Sequence, residues 1–254
     1  MPSSYRDGAT YDRISEPLER IGREVLERLE LDGDETVLDA GCGSGRVTQA
    51  LAERLPRGHV IGVDGSPEMI VAARARLGPG VELRVQDLER LDLGGRRVDA
   101  ILSTATFHWI PDHARLFKRL LAVLVPGGRL AAQCGGAGNT AELVAATLLV
   151  GEREPFAEHL AGWAGPWNVV APAATETLLR AAGFTDVHTW LITRPAPYEE
   201  LRSWLRTNAL TAHTARLPED LREPYLNAVI AQLGDDPSIS YVRLNIDATA
   251  ADVD

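Results

Sequence analysis

Three aspartates and a run of alternating glycines are the residues whose types and spacing could do chemistry. In "VLDAGCGSGRV", Val37 to Val47, Asp39 stands two residues before Gly41, Gly43 and Gly45, where an apolar strand turns into a helix. Glycines at such a turn let backbone approach a ligand closely, because side chains there would collide with it. The same glycines also serve a tight turn with no ligand, so the loop alone leaves both readings open. Asp64 closes the next apolar run, "HVIGVD", and Asp87 follows the third, "VELRVQD". Aspartate is common in turns, yet three acids at successive strand ends place carboxylates along the carboxyl edge of one sheet, where α/β folds bind ligands and a carboxylate can accept from ribose hydroxyls.

A dinucleotide fingerprint would read G-x-G-x-x-G. Here the spacing is G-C-G-S-G, with an acid inside the first strand. That acid suits a ligand carrying positive charge and would be a poor neighbour for pyrophosphate. After the fourth apolar run, "STATFHWIPDH" offers His108 and Trp109. His108 is open to three readings: general base, hydrogen-bond donor, or packed imidazole. Trp109 divides between a pocket wall and core. His113 reads as a surface residue at a helix start. Cys42 has no cysteine or histidine at metal-ligand spacing and reads as a small apolar filler; no metal site is expected.

The elements that must position these residues follow from periodicity. From Thr36 to Ala132, strand-like runs alternate with helical patterns, the signature of a parallel sheet with crossover helices. Ser66 is an N-cap with Pro67 at the first helical position, and Gly78-Pro79-Gly80 stops that helix. "DHARLFKRLLAVLVPGG" sets Leu116, Phe117, Leu120, Leu121 and Leu124 on one face, with Pro126-Gly127-Gly128 as its terminator. The expected architecture is α/β: a doubly wound, Rossmann-like sheet, mostly parallel with an antiparallel last strand in "YVRLNIDATA", and helices on both faces. It forms a single domain over residues 1–254, with an N-terminal helical segment 1–31 and helical cap insertions at about 135–172 and 197–238.

The 254 residues are 45% hydrophobic and 24% charged, an ordinary globular balance. No apolar run approaches the roughly 20 residues a membrane helix needs, and the start "MPSSYRDGATYDR" lacks a signal-like apolar core. Two cysteines form no disulfide framework. A cytoplasmic location is expected, with no membrane partner. A net charge of -10 repels phosphate backbones, which disfavours nucleic acid as a partner.

Taken together, "VLDAGCGSG", "GVDGS", "VQDLE" and "LVPGGRL" resemble the ordered motifs of the class I S-adenosylmethionine-dependent methyltransferases. The resemblance implies S-adenosyl-L-methionine as cofactor and S-adenosyl-L-homocysteine as product. It implies that Gly41, Cys42, Gly43 and Gly45 lie against the cofactor, with Asp39 near its amino acid portion. Asp64, followed by Gly65, would hold the ribose hydroxyls, and Asp87 with Leu88 would contact the adenine. Met69, Ser103 and Tyr11 complete the expected cofactor set, Met69 being equally readable as core.

"STATFHWIPDHARLFKRLLAVLVPGGRLAAQ" and "YEELRSWLRTNAL" are similar to trans-aconitate methyltransferases and their small-molecule relatives, which esterify a carboxylate. The leading expectation is therefore O-methylation of a small carboxylate, with His108 and Trp109 positioning the substrate. An arginine clamp would suit such a substrate, and Arg6, Arg13, Arg216 and Arg243 are its candidates. The alternatives are a natural-product methyltransferase acting on hydroxyl, amine or carbon, a non-catalytic nucleotide-binding regulator, and an NAD-dependent oxidoreductase.

Overall fold

The computed structural model describes residues 16–195, 201–234 and 239–252. Two compact units share the chain. Of the described residues, one holds 19–137, 168–192 and 243–252, and the other includes 138–167 and those between 193 and 242.

The first unit is built on the sheet. Its strands are β1 (Thr36–Ala40), β2 (His59–Asp64), β3 (Glu82–Val85), β4 (Val98–Thr104) and β5 (Leu124–Gly135), then β6 (Phe184–Pro195) and β7 (Ser240–Ala250), whose far ends run into the second unit. They lie in the order β3-β2-β1-β4-β5-β7-β6. β1 pairs in parallel with β2 and β4, β2 with β3 and β4 with β5, whereas β7 runs antiparallel to β5. Successive strand residues go to opposite faces. Val37, Val60, Ala100 and Ala131 belong to one buried cluster, while Leu38, Ile61, Ile101 and Leu130 belong to another. The central strands are thus apolar on both sides, as a sheet covered on both faces requires.

The helices on this unit are α1 (Glu16–Leu26), α2 (Arg46–Glu53), α3 (Pro67–Leu77), α4 (His113–Val123) and α7 (Pro172–Ala182). Val25 and Leu26 of α1 with Ala50 and Leu51 of α2 cover one face, and Leu116, Phe117 and Leu120 of α4 with Leu179 of α7 cover the other. Ser66 caps α3 by accepting from Met69 N at 3.2 Å, and Pro67 takes the first-turn position as its spacing predicts. Gly183, at φ 111°, closes α7.

Two local expectations change. Pro126-Gly127-Gly128 does not separate helix from strand: α4 ends at Val123 and β5 begins at Leu124. The Pro-Gly-Gly residues are absorbed as an irregularity, because Val98 pairs with Leu124 and Ala100 with Arg129. Proline is tolerated there because a bulge needs no ladder N–H. Asp87 stands two residues beyond the end of β3 and caps the short 3-10 turn Leu88–Arg90.

The second unit has its own core. It contains α5 (Ala141–Gly151), α6 (Ala157–Leu160), α8 (Leu201–Trp204), α9 (Thr211–Ala215) and α10 (Glu219–Leu233). Leu143, Val150, Leu205, Leu210, Tyr225 and Val229 pack together there. His213 is buried among Trp163, Trp167 and Tyr225, with ring centroids 4.9, 5.5 and 6.0 Å away. Among the described residues no helix is long and apolar enough to cross a membrane.

Candidate active site

The turn after β1 is held by backbone. Gly41 N and Cys42 N both donate to Val63 O of β2, at 2.8 and 3.0 Å. Gly41, Gly43 and Gly45 all have positive φ, at 91°, 54° and 83°. At Gly41 a Cβ would overlap the Thr106 side chain, and at Gly45 it would come within 2.8 Å of Leu77 Cδ1. Gly43 differs, because a Cβ there would meet nothing within 4 Å, as it would at Gly65. The loop is closed against its own fold at two glycines and open at the third.

The two strand-end acids flank that opening. Asp64 is nearly buried; its Oδ2 accepts from Gly43 N at 2.9 Å and its Oδ1 from Ser66 N at 2.8 Å. Asp39 is 1% exposed. Its Oδ2 accepts from Thr48 Oγ1 of α2 at 2.6 Å, while its Oδ1 has no partner among the described residues. Burial foremost, and the Asp64 charge after the counteracting Thr48 bond, raise its pKa to about 7. A buried carboxylate oxygen without a donor is costly. An ammonium group would satisfy it, so these residues fit the charged amino acid end of S-adenosylmethionine.

The other sequence candidates fall in different settings. Cys42 is buried with its sulfur against Gly62 of β2, and burial pushes its thiol pKa up. Met69 is buried at the start of α3. Asp87 is exposed and accepts from Glu89 N at 2.9 Å. The Leu88 side chain lies in the sheet core beside Leu91 and Leu93, which leaves its backbone as the part that can meet a ligand. Ser103 is buried, and its hydroxyl donates to Ala40 O at 2.6 Å, tying β4 to β1. Tyr11, Arg6 and Arg13 lie outside the described residues. Among the described residues no group of three histidine, cysteine or acidic side chains could hold a metal.

Beyond β4 the backbone turns sharply. Ala105 sits at φ 54°, unusual for a residue with a Cβ, and its N–H donates to Gln133 O at 2.8 Å. The short turn Phe107–Trp109 follows. Asn168 clamps this turn: its N–H donates to His108 O at 2.8 Å, and its Nδ2 donates to Ile110 O and Pro111 O at 3.1 and 2.9 Å. His108 is buried, and its Nδ1 accepts from Gly135 N at 3.2 Å. That bond leaves the proton of the neutral ring on Nε2. Burial foremost, then the charge of Arg243, lowers its pKa to about 3. The imidazole is therefore a neutral donor at ordinary pH and a poor base. Trp109 is half-buried, with its ring centroid 5.2 Å from that of His108.

His113 is not a surface residue. It is 5% exposed, its Nε2 donates to Phe107 O at 2.8 Å, and its ring lies on Phe117, because the first turn of α4 folds under the His108 turn. Arg243, one of the arginine candidates, is buried in β7 directly across from Gly135, the residue that binds His108. Arg216 belongs to the second unit, with its guanidinium 4.6 Å from the Trp163 ring. Sequence reading missed Thr48, Thr106, Gln133, Asn168 and Asn245. Of these only Thr48 carried a signal, as a hydroxyl in the helix that follows the glycine loop.

Comparison with known proteins agrees with this geometry. Residues 37–128 match the family described as "Methyltransferase domain". The chain is similar to a trans-aconitate 2-methyltransferase of Variovorax paradoxus, 33% identical over 86% of this chain and 85% of that protein. It is also similar to one of Azoarcus sp., 34% identical over 87% of each. In three dimensions it resembles phosphoethanolamine N-methyltransferase 2 of Haemonchus contortus in complex with S-adenosyl-L-methionine, with a TM-score of 0.64 at 18% identity, covering 95% of this chain and 56% of that one. With an acid-and-glycine loop at the carboxyl edge of a 3-2-1-4-5-7-6 sheet and relatives this close over most of its length, the chain belongs to the class I S-adenosylmethionine-dependent methyltransferases and is an enzyme that uses that cofactor.

Proposed function

We propose that the protein methylates a carboxylate oxygen of a small polyacid, with trans-aconitate as the test substrate. The observation that carries this reading is the character of the His108 turn: it offers a neutral N–H donor and a nearby buried cation and, among the described residues, no base. Nε2 of His108 carries its proton because Nδ1 is occupied by Gly135 N–H. The Arg243 cation lies close enough to depress the imidazole pKa. Relatives named trans-aconitate 2-methyltransferase at 33% and 34% identity support the same substrate class.

The chemistry asks little of the protein beyond placement. S-adenosylmethionine supplies a methyl group on a positively charged sulfur, open to in-line displacement. A carboxylic acid with a pKa of about 4 is already an anion at neutral pH, so no side chain has to take a proton. A hydroxyl acceptor would need a base, and an imidazole with a pKa of about 3 that already accepts a hydrogen bond on Nδ1 is badly suited to be one. His108 and Arg243 would bind the acceptor's anionic oxygens and orient them. On the cofactor side, Asp39 would receive the ammonium group. Asp64 would receive the ribose hydroxyls, a carboxylate having about four acceptor sites. Gly41, Gly43, Gly45, Gly65, Met69 and the Asp87-Leu88 backbone would line the remainder. The -10 net charge supports a small molecule over nucleic acid.

The test is incubation of the purified protein with methyl-labelled S-adenosylmethionine and trans-aconitate, followed by mass analysis and mild base. A singly methylated, base-labile product is the expected outcome. Product formed only from hydroxyl or amine acceptors would replace this reading.

A further inference from the structure

We propose that Gln133 and Asn245 are positioning residues that aim the Arg243 guanidinium at the acceptor's carboxylate, with Arg28 fixing the direction of the relay. The inference rests on the carboxylate reading above and goes beyond it, because none of these three residues needs to touch substrate.

Cross-strand register brings the residues together. Gln133 pairs with Asn245 and Gly135 with Arg243 across β5 and β7, so all four share one face of the sheet. Gly135, opposite Arg243, has no side chain, and the Arg243 guanidinium reaches along the sheet face to Gln133. Gln133, Arg243 and Asn245 are 5%, 3% and 1% exposed.

The donors converge on Asn245 Oδ1 from both sides, which leaves each amide one orientation. Arginine donates and never accepts. Arg28 Nη1 donates to Asn245 Oδ1 at 2.7 Å, so the oxygen of that amide must face Arg28. Gln133 Nε2 donates to the same oxygen at 2.8 Å. The Gln133 amide is thereby turned so that its Oε1 faces away from Asn245, and there it accepts from Arg243 Nε at 3.3 Å. Neither amide can flip without setting donor against donor.

Arg28 is itself fixed. Its Nη2 donates to Ala132 O at 2.7 Å and Ile246 O at 3.4 Å, its Nε lies 3.1 Å from Asp247 Oδ1, and its guanidinium stands 5.0 Å from the Trp190 ring. Asp247 offsets the Arg28 charge, so the relay transmits orientation rather than net charge to Arg243. Buried amides cost stability unless fully satisfied, and an apolar pair would fill the same space at lower cost. Their presence next to the buried Arg243 is accounted for if the angle of that arginine matters.

Three variants test this: Gln133→Leu, which removes the acceptor; Gln133→Glu, which sets a carboxylate against Arg243; and Asn245→Asp, which keeps an oxygen for both of its donors. Steady-state kinetics with trans-aconitate at saturating S-adenosylmethionine would be measured beside S-adenosylhomocysteine affinity and Tm. Both Gln133 variants are expected to raise KM for trans-aconitate by about tenfold or more with the S-adenosylhomocysteine Kd unchanged, while Asn245→Asp holds KM near that of the parent enzyme. Tm losses in the Gln133 variants with KM unmoved would reduce the relay to packing and overturn the proposal. Should Gln133→Leu fail to fold, Gln133→Glu carries the same comparison in nearly the same volume. If the parent enzyme forms no ester at all, the carboxylate reading falls and takes the relay with it; ester formation with KM indifferent to Gln133 overturns the relay alone.

Discussion

Asp39 and Asp64 end neighbouring strands, are both almost wholly buried, and are wired in opposite ways. Both Asp64 oxygens are met by backbone N–H groups, from Gly43 and Ser66. Asp39 has one oxygen answered by Thr48 and the other by nothing among the described residues. Backbone donors fix one carboxylate as part of the scaffold. The other is held at a cost that a cationic ligand would repay. Of two acids that look alike in sequence, one has both oxygens met by backbone donors and one keeps an oxygen with no donor among the described residues.

The sharpest way to break this contrast is Asp64→Ala. It would strand two backbone donors and lose the proposed ribose contact together. Stability should fall by about 2 to 4 kcal/mol and cofactor affinity by about 1.5 to 3 kcal/mol. Urea unfolding and calorimetric titration with S-adenosylhomocysteine measure the two separately, and an unchanged affinity would place the ribose elsewhere.

Asp39→Asn should weaken S-adenosylhomocysteine by about 2 kcal/mol while sparing or raising the stability of the ligand-free protein. The sign follows from its raised pKa. A carboxyl whose pKa is higher folded than unfolded contributes stability below the unfolded value, about 4, and loses it as pH rises to about 7. The parent protein should therefore lose stability over that window, and the Asn variant should lose less. Pairing with ammonium requires the ionised form, so cofactor binding near pH 7 should release about half a proton and weaken by up to about tenfold per pH unit below it. Titrations in buffers of different ionisation enthalpy count that proton. A parent-like pH profile in the Asn variant would remove Asp39 from the ammonium site.

A smaller effect is expected of Thr48→Val. It withdraws the one donor that lowers the Asp39 pKa, so the pH dependence should shift upward and binding at neutral pH weaken by about 1 kcal/mol. No shift would mean that the Thr48 bond only anchors α2.

What the sequence disclosed and what it concealed divide along the same physical line. Gly41, Gly43, Gly45 and the N-cap Ser66 were legible because local backbone geometry dictates residue type, and positive φ or a capping oxygen leaves few choices. The mostly parallel sheet followed from alternation of strands and helices, whereas its strand order is set by tertiary pairing that local pattern does not carry. The Arg28–Asn245–Gln133–Arg243 relay was not legible, since Arg28 and Asn245 are 217 residues apart and meet only through the antiparallel pairing of β5 and β7. His113 misled for a related reason: its place at a helix start suggested exposure, but a tertiary fold-back buried it. Pro126-Gly127-Gly128 signalled a break that the β4–β5 irregularity accommodates within the strand.

Asn168 bears on how such a site can change its preferences. All three of its bonds to the His108 turn end on main-chain carbonyls, at His108, Ile110 and Pro111. The clamp is therefore indifferent to which side chains the turn displays. Substitutions at half-buried Trp109 can change the side chain displayed there while the turn keeps its path, so new preferences can be sampled without rebuilding the fold that presents them.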